Sequence, residues 1–353
     1  MLLVVFEDAI ESLSKAMQVT QYLCNRRARI VGPVEGKRVL ITGGTGSFGN
    51  FILRELLTRH APKEVRIFSR DEFKQSEMRR DFPTITYIIG DTRDRDSLQR
   101  ALKQVEIVYH AAALKHIPLY EENPMESIKT NILATHNLIN ACREEGVSKA
   151  ILISTDKAVK PVNVYGMCKA ISERLFVTAD GEETEFVCMR YGNVVGSRGS
   201  VIPLFKKLVE NGNPLPITHP EMTRFLITLR QAAELALFCT ASSLPSKIVT
   251  MRLPACRIVD LAKAMAGEGF PMQIVGPRRG EKIHECLVSE EEINRTSSIG
   301  EYLVIDQDRL VQEPALSSEF GSDSTIHLTV PEIRDLLQRE GWLPTLRMET
   351  RRR

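Results

Sequence analysis

The chain has 353 residues, 43% of them hydrophobic and 26% charged, and a formal net charge of +2. That is the profile of a soluble globular protein large enough for two lobes. So small a net charge excludes a polyelectrolyte drive toward nucleic acid, and no apolar run is long enough to span a bilayer. Seven scattered cysteines without a CxxC pair argue against a disulfide framework and a zinc site, and for free thiols in a reducing compartment. Met1 to Phe6 is apolar but runs into Glu7 and Asp8 without a basic leader, so a cytoplasmic protein is expected.

Residues 1–36 stand apart. Ile10, Leu13, Met17 and Leu23 follow helical spacing, and Arg26, Arg27, Arg29, Gly32 and Pro33 read as the helix end and a linker. Lys37 to Ile41 is then a short apolar strand. It enters a glycine turn with Gly43, Gly46 and Gly49, after which Phe48, Ile52, Leu53, Leu56 and Leu57 follow helical spacing. Strand, glycine turn and helix together form the context in which a backbone cradles a pyrophosphate at a helix N-terminus.

Glu64 to Phe68 is a second strand, ending in Ser69, Arg70 and Asp71. Arg70 and Lys74 suit a ribose 2′-phosphate and favour NADP, while Asp71 leaves NAD open. Ile85 to Ile89 is a third strand closed by Gly90 and Asp91, whose carboxylate suits either an adenine amino group or a turn. Ile107 to His110 is a fourth strand, followed by the small Ala111, Ala112 and Ala113, then Lys115 and His116. Asn123 and Pro124 begin a long helix to about Glu145, with Asn131 expected to bond the backbone of a neighbouring element. Ala150 to Ser154 is a fifth strand. Strands alternating with helices predict an α/β fold with a Rossmann-like, doubly wound parallel sheet. Its sites belong at the C-terminal strand ends.

Ser154, Thr155, Asp156 and Lys157 close the fifth strand, and a helix follows from about Tyr165 to Ala179. Tyr165 and Lys169 are four apart and share a helix face. This spacing is expected to put a lysine cation beside a proton-transferring phenol and lower its pKa. Further on lie a strand from Glu185 to Arg190, a polar loop from Tyr191 to Ser200, and a helix from about Val201 to Glu210. The loop from Thr218 to Phe225, a helix from Gln231 to Cys239, a basic turn at Arg278 to Lys282 and a helix from Leu328 to Gln338 complete the chain.

These stretches together resemble the extended short-chain dehydrogenase/reductases, and within them the inverting UDP-N-acetylglucosamine 4,6-dehydratases of bacterial surface-sugar pathways. The resemblance rests on Thr42 to Gly49 (TGGTGSFG), Ser69 to Lys74 (SRDEFK), His110 to His116 (HAAALKH), Ser154 to Lys157 (STDK), and Tyr165 with Lys169. Asn193 to Ser200 (NVVGSRGS), Thr218 to Phe225 (THPEMTRF) and Arg278 to Lys282 (RRGEK) extend it through the second half. It covers about Lys37 to Trp342. Arg279 stands where the family usually has proline, and Met167 and Cys168 where it usually has alanine and threonine.

The resemblance implies an NADP-binding domain over 37–190, a smaller UDP-sugar-binding lobe mainly over 191–343, and a tail over 344–353. It implies that Gly43, Thr45, Gly46, Ser47, Phe48, Gly49, Ser69, Arg70, Asp71, Glu72, Phe73, Lys74, Asp91, Thr92, Ala111, Lys115, Tyr165 and Lys169 hold NADP. Lys115, Asn193, Val194, Val195, Gly196, Ser197, Arg198, Arg278 and Glu281 would hold the UDP-sugar. Thr155, Asp156, Lys157, Tyr165 and Lys169 would carry the chemistry, and no metal is implied; Lys157 is expected to be the base, with a pKa depressed by burial or a neighbouring cation. A homo-oligomer is the norm for such enzymes. A nucleotide-sugar 4-epimerase and a non-catalytic NADP-binding module are the competing readings.

Overall fold

The structure, a computed structural model, describes residues 32–179 and 183–344. The helix expected around Ile10 to Leu23 and the tail from 345 onward lie outside the described residues. The framework is a nine-stranded sheet. Strands β1 (Arg38–Thr42), β2 (Glu64–Ser69), β3 (Thr86–Ile89), β4 (Ile107–His110), β5 (Lys149–Ile153) and β6 (Glu185–Met189) stand in the order β3-β2-β1-β4-β5-β6, all parallel. β1, β4, β5 and β6 are apolar runs buried on both faces, as helix-covered parallel strands must be. Helices connect successive strands, giving the doubly wound α/β fold. The strand order reverses between β1 and β4, and that reversal opens a crevice at their C-terminal ends.

Residues 191–343 divide between two bodies. The strand Lys247–Met251 pairs with β6 in parallel, and Tyr302–Asp306 and Thr296–Ile299 complete that edge antiparallel. The apolar edge of β6 would otherwise stand unpaired. The remaining segments build a second core. Helices Val201–Glu210, Ile258–Ala266 and Val330–Arg339 pack Phe205, Leu261, Ile333 and Leu337 around Ile217 and Leu226.

The helix expected from Asn123 to Glu145 has a wide turn in its middle. Pro124–Ser127 and Ala134–Glu144 are α-helical and Ile128–Leu133 is π-helical, a distortion common near functional sites. Asn131 lies in that turn. Its Oδ1 accepts from the Leu114 amide (2.9 Å) and its Nδ2 donates to the Leu114 carbonyl (3.0 Å), so it holds the segment after β4 in place, as a buried helical asparagine is expected to do.

Candidate active site

A cleft of about 610 Å³ runs along the strand ends. At one end lies the glycine turn. Gly43 has φ +64°, and a Cβ there would stand 2.7 Å from the Ala112 nitrogen, so only glycine lets the turn nest against the Ala111–Ala113 backbone. The helix Ser47–Arg59 begins there with no side-chain cap and no acidic residue in its first turn. Its free amides therefore face the cleft as a ready anion site. Arg198 crosses from the second lobe: its backbone amide donates to Ser47 Oγ (3.2 Å) and its Nη1 to the Thr45 carbonyl (3.1 Å). Thr45, Gly46, Ser47, Phe48, Gly49, Ser69, Arg70, Asp71, Lys74, Thr92, Ala111 and Lys115 line this half. A glycine-rich turn, open helix amides and small alanines fit a dinucleotide.

The other half is built at the end of β5. Thr155 caps a short 3-10 turn, Asp156–Ala158, and its hydroxyl donates to Asp156 Oδ1 (3.0 Å). The helix Val164–Val177 presses onto this turn at Gly166, where a Cβ would meet the Lys157 carbonyl at 2.2 Å. That approach brings Tyr165 beside Lys157. Asn163 caps the helix through the Gly166 amide (2.7 Å) and donates to the Gly280 carbonyl (2.8 Å). Lys157 Nζ is 2.9 Å from Asp156 Oδ1, 3.3 Å from Asn193 Oδ1 and 3.3 Å from Glu285 Oε1. Thr155, Lys157, Tyr165, Asn193, Val194 and Ser197 line the cleft, and Asp156 is fully buried behind them.

The electrostatics follow from that packing. Burial raises the Asp156 carboxyl above its ordinary value, Lys157 opposes the rise, and Glu285 adds to it. Burial alone would lower the Lys157 ammonium, but Asp156 and Glu285 outweigh it and hold its pKa above the ordinary value. Tyr165 is pushed up to about 12 by burial, with Lys157 pulling the other way and Asp156 adding to the rise.

The family model for polysaccharide biosynthesis proteins matches residues 39–307. The chain belongs to that family. It is 46% identical over 276 residues to a Campylobacter jejuni serotype O:2 protein named UDP-N-acetylglucosamine 4,6-dehydratase (inverting), covering 76% of this chain and 82% of the relative. It is also 41% identical over 324 residues to a Rickettsia bellii protein named UDP-glucose 4-epimerase, covering 85% of this chain and 95% of that one. Among solved structures, Pen from Bacillus thuringiensis superimposes with a TM-score of 0.83 at 33% identity, covering 88% of this chain and 99% of that one.

In this polysaccharide biosynthesis protein several expected positions stand elsewhere. The Lys169 ammonium donates to the Ile153 carbonyl (2.6 Å) beneath the cleft, and burial lowers its pKa to about 8. The cation that acts on the phenol is Lys157, and the phenol is raised rather than lowered because burial outweighs it. Lys157 in turn is not depressed toward a free amine, because two carboxylates flank it. Asp91 turns away to Arg93 (2.8 Å) and Arg70 (3.6 Å), leaving Gly90 and Thr92 at the cleft. Glu72 and Phe73 lie outside the cleft lining, Phe73 largely exposed. Val195 is in the second core and Gly196 lies against Trp342. Arg278 and Glu281 bond each other on the turn that meets Asn163, outside the cleft lining. Glu285, which sequence reasoning passed over, is the added member. Its signal was an acidic residue leading straight into the apolar strand Cys286–Val288 just after the RRGEK turn.

Proposed function

We propose that the protein is an inverting UDP-N-acetylglucosamine 4,6-dehydratase working with a retained nicotinamide dinucleotide, NADP, and forming UDP-2-acetamido-2,6-dideoxy-L-arabino-hexos-4-ulose. The observation that carries this reading is the Asp156–Lys157 pair at the cleft, 2.9 Å apart. Loss of water needs both a base and an acid near carbons 5 and 6. One proton passed from the Lys157 ammonium to Asp156 turns the ion pair into an amine and a carboxylic acid. Burial of Asp156 lowers the cost of that exchange, because it favours the neutral acid.

The bound dinucleotide supplies the hydride acceptor at carbon 4 and the donor at carbon 6. Every proton step falls to the chain. Tyr165 takes the proton of the 4-hydroxyl as its phenolate, the form that Lys157 favours and burial opposes. The 4-keto group acidifies the hydrogen on carbon 5, and the Lys157 amine removes it. Asp156 does not reach the cleft surface, so its proton passes through the Thr155 hydroxyl, 3.0 Å away, to the departing 6-hydroxyl. Lys157 has then gained a proton and Asp156 has lost one, which restores the ion pair. Tyr165 then gives up its proton, through solvent, as one is delivered to carbon 5 from the opposite face, which restores the phenolate and gives the L-sugar.

The preference for NADP is supported at the end of β2. Asp71 is taken up as a helix cap, accepting from the Lys74 amide (2.9 Å) and its ammonium, so its carboxylate is not free for ribose hydroxyls. Arg70 remains half-exposed at the cleft. Arg70→Asp is expected to weaken NADP binding by about 10- to 100-fold and NAD far less; equal losses in calorimetric titration refute the 2′-phosphate assignment. A reducing compartment is supported by the six buried thiols among the described residues. A homo-oligomer is supported by the exposed Met125, Leu133, Met167 and Ile171 on two helices in contact.

A 4-epimerase, the name carried by the Rickettsia relative, shares the cofactor half and the tyrosine but has no use for an acid and a base that expel water. Incubation with UDP-N-acetylglucosamine decides between them. The dehydratase gives a 4-keto-6-deoxy sugar whose carbon-5 configuration is read by NMR, with solvent deuterium incorporated there. Recovery of a 4-epimer alone overturns the reading, and binding of NADP with no change in any UDP-sugar favours a non-catalytic module.

A further inference from the structure

The mechanism above uses Asp156 and Lys157 and leaves a second buried carboxylate without a role. Glu285 is 3% exposed and does not line the cleft. It precedes the strand Cys286–Val288, which lies against the Asp156–Ala158 turn. Its Oε1 is 3.3 Å from Lys157 Nζ and 3.9 Å from Arg224 Nε, and its Oε2 is 3.5 Å from Lys282 Nζ. Both outer cations are tied to backbone. Arg224 donates to the carbonyls of Thr223 (2.7 Å), Ile283 (3.0 Å) and Lys282 (2.9 Å), and Lys282 donates to that of Val159 (2.6 Å). They neutralise Glu285 from fixed positions. Yet Glu285 Oε2, like Asp156 Oδ2, has no hydrogen-bond partner among the described residues. A carboxylate kept for stability alone is expected to have its oxygens hydrogen-bonded. This one leaves Oε2 with only the Lys282 ion pair and turns Oε1 to the lysine that lines the cleft.

We propose that Glu285 is a positioning residue for the dehydration: it holds the Lys157 side chain at the cleft wall and keeps the shared proton on the Lys157–Asp156 pair. The inference rests on the function proposed above. The charges that bear on Lys157 come from four directions. Asp156 is on its own turn, Arg224 on the strand Thr223–Ile227, and Lys282 and Glu285 on the segment after Gly280; Lys115 faces it from the segment after β4. Tyr165 adds a neutral phenol from the helix Val164–Val177. Glu285 stabilises the ammonium of Lys157 and repels the carboxylate of Asp156, so its charge raises both groups. Removing that charge must move both in the same direction, downward.

The test is the pH profile of kcat with UDP-N-acetylglucosamine. Glu285→Gln is expected to shift both limbs to lower pH by about one unit or more and to slow exchange of the carbon-5 hydrogen with solvent at least tenfold. KM should change less than threefold, because the side chain is outside the cleft. Glu285→Asp keeps the charge and is expected to return the limbs toward their wild-type positions. Lys282→Met removes a neutralising cation and is expected to shift both limbs the opposite way, which keeps the test available if Glu285→Gln does not fold. Folding is checked by Tm and by the Kd for NADP. Unshifted limbs in Glu285→Gln, or in Lys282→Met where the first does not fold, overturn the proposal and leave Glu285 a packing residue. A wild-type protein that never dehydrates the sugar overturns the function itself; that outcome is distinct from dehydration that is indifferent to Glu285.

Discussion

Two buried ion clusters share the end of β5 and the helix Val164–Val177, and they are built to opposite rules. On the far side Arg190 donates through Nε and Nη2 to Glu173 (3.0 and 2.6 Å), through Nη1 and Nη2 to Glu292 (2.9 and 3.0 Å), and through Nη1 to the Leu287 carbonyl (2.9 Å). Ser154 adds its hydroxyl to Glu173. Every guanidinium nitrogen is used. On the cleft side Asp156 and Glu285 each keep an oxygen without a hydrogen-bond partner among the described residues, and the cation between them is a lysine. Successive side chains of a strand point to opposite faces, which sends Ser154 into one cluster and Thr155 into the other. The saturated cluster has nothing left to move and serves as scaffold. The unsaturated one holds a proton that two groups can share.

Substitution of the central cation separates the two kinds of cluster. Lys157→Ala should slow water loss by about 10²–10⁴-fold while NADP binds with nearly unchanged Kd and the fold persists. Keto-sugar formation at the normal rate would refute the base assignment. Arg190→Met should do the reverse: it leaves Glu173 and Glu292 buried without their cation and costs about 3–5 kcal/mol of stability, measured by denaturant unfolding. The pH dependence tells the cause. In the wild type Arg190 holds Glu292 below the usual carboxylate range, against the opposing effect of burial. Its contribution is present above the ordinary value of 4.5 and is lost as pH falls through the lower folded value. In the variant burial is left unopposed by Arg190 and raises Glu292, so the deficit should shrink between pH 8 and pH 5. A deficit independent of pH would mean lost packing and not stranded charge.

The difference between the clusters also explains what the sequence discloses. The glycine turn, the strand ends and the Tyr165 helix are local patterns, and Gly43, Thr45, Ser47, Thr155, Lys157 and Tyr165 all line the cleft. Charge partners are not local. The i,i+4 spacing puts Lys169 on the face of Tyr165, but the long side chain ends at whichever acceptor is nearest, and that is the Ile153 carbonyl. Asp91 has the same history: its position at the end of β3 is legible, and the arginines that capture it are not. Glu285 reaches Lys157 only because the chain returns from the second lobe, so nothing in the spacing of STDK announces a second carboxylate. The same long-range pairing hides the strand Lys247–Met251, whose place beside β6 is tertiary.

A smaller effect is expected where the two clusters meet. The helix Val164–Val177 carries Tyr165 at its first turn on the cleft side and Glu173 two turns later on the other, and Asn163 sets its start. Asn163→Asp keeps the cap, because a carboxylate accepts from the Gly166 amide as well as an amide oxygen does and suits the positive helix end. What it loses is the donor to the Gly280 carbonyl, worth about 1 kcal/mol. That bond ties the helix to the turn of Arg278 and Glu281. A role for this turn in binding the UDP-sugar then predicts a KM raised severalfold, with kcat and the Arg190 cluster untouched. A fall in kcat at constant KM would mean that the link positions Tyr165 instead, and that the turn belongs to the chemistry of the cleft rather than to its substrate.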